Sequence, residues 1–106
     1  MDKEQVKERI EVFLKAVQGR SDKHFKNDLP NLPPSIYTAE YGSSYCKIVE
    51  NRHGGGRTVY CFIDLSNGDI LKAATWKAPA KIPRGNIFNH DMLKGTNLYG
   101  ADYIVR

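Results

Sequence analysis

At 106 residues, with 41% apolar and 26% charged side chains, the chain fits one globular domain, residues 1–106, which excludes two independent cores and intrinsic disorder. Apolar runs such as VYCFI are about a quarter of the ~20 residues that cross a bilayer, so no membrane partner is expected and the reading is cytoplasmic. The net charge of +4 favours an anionic partner.

In chain order, Val6, Ile10, Phe13, Leu14 and Val17 recur at spacings of three and four, which predicts an amphipathic helix over residues 1–20. Asp2 and Gln5 match a capping box, and Gly19 is the expected stop. Such a helix is marginal alone, so its stripe must cover a sheet or a second subunit. Residues 20–36, RSDKHFKNDLPNLPPSI, carry three prolines and are expected to form an irregular connection. Within it, Arg20, Lys23 and His24 form either a solvated basic loop or a secondary anion site.

YCKIVE (45–50) and TVYCFIDL (58–65) read as strands joined by the glycine-rich turn RHGGGR (52–57). Strict alternation puts Val59, Cys61, Ile63 and Leu65 on one face and Thr58, Tyr60, Phe62 and Asp64 on the other. Asn67-Gly68 is a strong hairpin signal leading into DILKAATW (69–76). HDMLK (90–94) is a short helical or irregular piece, and LYGADYIVR supplies a closing strand. The expected fold is α+β: an N-terminal helix packed on a small antiparallel β-sheet, with a proline-rich basic loop and a short C-terminal element.

No catalytic set emerges, and the expectation is a protein that is not an enzyme. The three histidines are scattered, and GGG joins two strands without the GxxxxGK[ST] pattern of a phosphate loop. Cys46 and Cys61 lack CxxC or histidine spacing, so buried free thiols are expected, with a disulfide between neighbouring strands as the alternative, and no metal and no cofactor are expected. Arg57 beside the glycines is placed to meet an oxyanion.

The stretch TWKAPAKIPRGNIFN (75–89) is the most suggestive for binding. Pro79 and Pro83 stiffen it, and a preorganised loop loses less entropy on gripping a ligand. Lys72, Lys77, Lys81 and Arg84 suit phosphates; Gly85 allows close backbone approach; Asn86 suits a base edge; Trp76 and Phe88 offer stacking faces.

The run GDILKAATWKAPAKIPRGNIF resembles a pattern found in small proteins of tailed bacteriophages, and the layout resembles the Thoeris anti-defence protein 1 family. That resemblance implies a sponge that sequesters cyclic ADP-ribose-type signals made by bacterial TIR-domain enzymes, without cleaving them, in the cytoplasm of the infected host. It further implies a homo-oligomer with ligand sites between subunits and a site for cyclic oligonucleotides. Trp76 and Asn86 match the family's adenine contacts in type, and Arg57, Lys77, Arg84 and Arg106 its phosphate contacts. The alternative is a single-stranded nucleic-acid-binding protein of phage origin.

Overall fold

Helix α1 spans Lys3–Asp28 in the computed structural model, which describes residues 2–102. Its start is the capping box: the Asp2 carboxylate accepts from the Glu4 amide at 3.1 Å, and Gln5 Oε1 accepts from the Asp2 amide at 3.4 Å. Val6, Ile10, Phe13, Val17 and Ser21 are its buried stripe, with Leu14 half-buried beside them. The helix does not stop at Gly19, and residues 20–28 are helical where an irregular segment was expected. A glycine costs a helix about 1 kcal/mol relative to alanine, too little to end one whose next turns are held by buried Ser21 and by the i,i+4 pairs Gln18–Asp22 and His24–Asp28. The stop is Pro30. It disfavours helical backbone at the residue before it, and Leu29 accordingly adopts φ −136, ψ 55.

Five strands follow in one antiparallel sheet of order β1-β2-β3-β4-β5: Ile36–Tyr41, Tyr45–Asn51, Arg57–Asp64, Asp69–Ala73 and Pro79–Asn86. A short ribbon, β6 (Thr96–Asn97) and β7 (Gly100–Ala101), completes the described chain. This is the α+β arrangement read from the sequence. The β3–β4 turn is where Asn67-Gly68 places it, with Gly68 at φ +83.

Two departures reshape the site. The 79–86 segment is not a loop but the edge strand β5, in which Pro79 lies opposite Ala73 and Pro83 opposite Leu71, with slips of register between. Proline lacks an amide donor, and an edge strand tolerates that loss while being protected from pairing with other chains. The second departure is in β3. Ile48 faces Cys61 but Val49 faces Val59, so Tyr60 is an inserted bulge residue.

The bulge shifts the alternation. Tyr60 turns toward the helix with Cys61 and packs edge-on against Tyr37, ring centroids 5.3 Å apart, in the core that joins α1 to the sheet. Val59 then sits with Val49 on the opposite face. That face also carries Phe62 and Leu71, buried outside the helix-side core. Burial of Phe13, Ile10, Ile48, Ile63, Ile70 and Ile87 contributes about 1.5 to 3 kcal/mol per side chain and fixes the helix on one side of the sheet.

Candidate functional site

The sheet face away from the helix presents the clearest set of ligand-type groups. Trp76 follows β4 and is 40% exposed. Lys47 Nζ lies 4.2 Å from its ring centroid and the Arg57 guanidinium carbon 5.4 Å away, both within cation–π range. Arg57 is itself held by Glu40 and by Asn51 Oδ1 at 3.1 Å. Beside this group, a cleft of about 450 Å³ is lined by Tyr41, Tyr45, Lys47, Phe62 and Lys77, with Glu40 on its wall. Tyr45 meets Phe62 edge-on at 6.3 Å. The arrangement offers an aromatic platform, two lysine ammonium groups and an apolar floor.

The remaining candidates are not gathered there. Asn86 pairs with Asp69, whereas Trp76 lies beyond the Ala73–Pro79 pair at the other end of the β4–β5 hairpin. The eight residues of β5, at about 3.3 Å each, separate these ends by more than roughly 20 Å. Asn86 Nδ2 donates to Asn67 O at 3.0 Å and Asp69 Oδ1 at 2.9 Å, and its Oδ1 accepts from the Phe88 amide at 2.8 Å. Its amide is thus spent on the hairpin turn. Phe88 packs against Gly68 and borders a shallow cleft with Arg9 and Val12 on the helix side.

Gly85 has a structural reason to be glycine, since a Cβ there would stand 2.4 Å from Lys94 O. Arg84 donates to Ile82 O at 2.6 Å, Lys81 is exposed on β5, and Lys72 reaches toward Ala101 O at 3.5 Å. Arg106 lies outside the described residues. Arg20, Lys23 and His24 do not converge either. Arg20 clamps the C-terminal ribbon to the helix, donating to Tyr60 Oη, to Thr96 Oγ1 at 3.1 Å and to Asn97 O at 2.8 Å. Lys23 is exposed, and His24 faces a different cavity.

That cavity, about 460 Å³, lies between the C-terminal turns of α1 and the 32–35 segment. Its walls include Phe25, Leu29, Leu32 and Leu98, and its polar groups include Glu50, Arg52, His53 and His24. None of the sequence motifs pointed to Glu50. The one available signal was a carboxylate closing the apolar run of YCKIVE, where an alternating strand buries its neighbours.

A family model described as a family of unknown function, DUF7717, matches residues 2–103, spanning the helix and every strand. The chain belongs to that family. No curated protein and no solved structure matches it. In this DUF7717 member neither cysteine is poised as a nucleophile: burial pushes the Cys46 thiol up to about 12, helped by Glu11 nearby, and pushes Cys61 well above its ordinary value. Both are free and buried. Among the described residues no group of three His, Cys, Asp or Glu side chains is arranged to hold a metal ion, and no helix is long and apolar enough to cross a membrane.

Proposed function

We propose that this protein binds a phosphate-bearing nucleotide without cleaving it and acts as a sequestering protein, the ligand being a cyclic ADP-ribose-type or cyclic oligonucleotide signal. The observation that carries the reading is Trp76, part-exposed at a ring already chosen by two cations, beside a cleft with Lys47 and Lys77 on its rim. A base stacked on Trp76 gains about 1 to 3 kcal/mol, and Lys47 and Lys77 at the adjoining cleft are available for its phosphates. The phage anti-defence resemblance supplies the ligand class and the cytoplasm of an infected host. Buried thiols of raised pKa are in keeping with retention and not turnover.

The cleft is open to solvent, so a second copy of the chain closes the site in this reading, and the protein works as a homo-oligomer. Asn86, Gly85 and Phe88 are no part of the proposed site, because the hairpin turn already uses them. The test is to incubate the protein with cyclic ADP-ribose isomers and cyclic oligonucleotides, denature it by heat and identify what is released. Intact ligand is the expected result. A processed product, or no retention at micromolar protein, contradicts the proposal.

A second reading rests on the exposed aromatics Tyr45 and Trp76 on the face away from the helix, which also suit a single nucleic-acid strand. It requires affinity that rises with oligonucleotide length and falls steeply with salt. A small ligand in a cleft shows a shallow salt slope.

A further inference from the structure

Glu50 sits on the helix side of the sheet, in the cavity that the Trp76 face does not touch. Its side chain is 12% exposed, and it is held by hydroxyls on both oxygens: Ser35 Oγ donates to Oε2 at 2.8 Å and Thr58 Oγ1 to Oε1 at 3.4 Å. Arg52 stands 3.7 Å from Oε1, beyond hydrogen-bonding distance. A carboxylate has about four acceptor positions, so each Glu50 oxygen keeps one unused. The two hydroxyls and the Arg52 guanidinium, at ion-pair distance, hold the carboxylate in place and leave acceptor positions for a further donor.

The walls say what completes it. Phe25, Leu29, Leu32 and Leu98 leave a slot of about 460 Å³, the size range of small-molecule sites. We propose that this cavity is a second ligand site for a planar heterocycle that presents two adjacent N–H donors, of the guanine type. Two parallel N–H groups match the two unused positions on a carboxylate, as in bidentate pairing. The apolar walls cover the faces of the ring, and Arg52 and His53, which line the same cavity, supply donors for an attached sugar or phosphate. The site is independent of the reading given to Trp76.

Calorimetric titration of the full chain with guanosine tests it, with inosine and guanosine 5′-monophosphate as companions. Guanosine is expected to bind with one site per chain. Inosine, which lacks the exocyclic amine, is expected to bind about tenfold more weakly or worse, and Glu50→Gln to weaken guanosine by at least as much. Stronger binding of the monophosphate identifies a nucleotide as ligand; equal binding identifies a nucleoside. Because Glu50→Gln can disturb the fold, Leu32→Arg provides a second variant at an exposed wall position, expected to abolish binding while leaving the unfolding midpoint unchanged. Trp76→Ala should bind guanosine as the parent does. Absence of guanosine binding at millimolar concentration, equal affinity for inosine, or binding unaffected by both cavity variants overturns the proposal.

Discussion

Trp76 owes its place to two neighbours from the hairpin that precedes its own, Lys47 in β2 and Arg57 at the start of β3. Asn86 is the instructive contrast. It has the amide that a base edge would use, yet two of its contacts hold the turn around Asn67 and Asp69 and the third accepts from the Phe88 amide. Replacing Asn86 by alanine is expected to cost about 1 to 2 kcal/mol in urea denaturation while leaving nucleotide affinity intact. A loss of affinity in a variant that remains folded would return Asn86 to the site. The cysteines give a pH signature. Unfolding returns the Cys46 thiol to an ordinary value of 9.0, against about 12 in the fold, and Cys61 is shifted in the same direction. Above the ordinary value the unfolded chain sheds protons that the folded chain keeps, so this stabilising contribution is complete below that pH and shrinks as pH rises toward about 12. The urea midpoint should fall between about pH 8 and pH 11, and less so in a Cys46→Ala, Cys61→Ala double variant. An identical fall in both would place the effect elsewhere.

At the scale of elements, the helix shows what local pattern does and does not reveal. The capping box and the apolar spacing were legible because both depend on residues within one turn of each other. The helix end was not, since the penalty of Gly19 is small and the anchors beyond it, Arg20 on Tyr60 and Asn97, lie far from the helix in the sequence. Gly19 is exposed and an added Cβ meets nothing within 4 Å. Gly19→Ala should therefore raise stability by about 0.5 to 1 kcal/mol, read as a higher urea midpoint; a neutral or lower midpoint would contradict continuous helix there. Strand β1 was missed although Tyr37, Ala39 and Tyr41 alternate with Thr38 and Glu40. Its outer edge is secured by the helix: Gln18 donates to Ser35 O at 2.7 Å and accepts from the Tyr37 amide at 2.8 Å, standing in for a neighbouring strand. Strand β5 was hidden by its prolines, which local rules assign to loops. The Asn67-Gly68 hairpin was legible because the turn needs the left-handed backbone of Gly68. Strict alternation failed in β3 at Tyr60, where a bulge set by the β2 partner decides which face a side chain takes.

At the scale of the whole molecule, the sheet separates two concave surfaces. One is the cationic and aromatic cleft at Trp76; the other is the apolar cavity floored by Glu50. Of the candidate residues, Arg57, Trp76 and Lys77 fall together at the first, because β2, β3 and the β4–β5 turn meet there. The rest are distributed by topology that spacing along the chain does not encode. The openness of the cleft implies that one copy leaves a nucleotide partly in water, and light scattering at micromolar concentration should then show a dimer or larger assembly. A strict monomer would remove the shared-site model. A nucleotide stacked on Trp76 has a direct probe, since Trp76 is the chain's single tryptophan. Titration of its fluorescence with cyclic ADP-ribose isomers and cyclic oligonucleotides should give a saturable change for at least one ligand, shifted to roughly tenfold higher concentration by Lys47→Ala or Lys77→Ala. A flat fluorescence response to every ligand up to millimolar concentration would contradict the account.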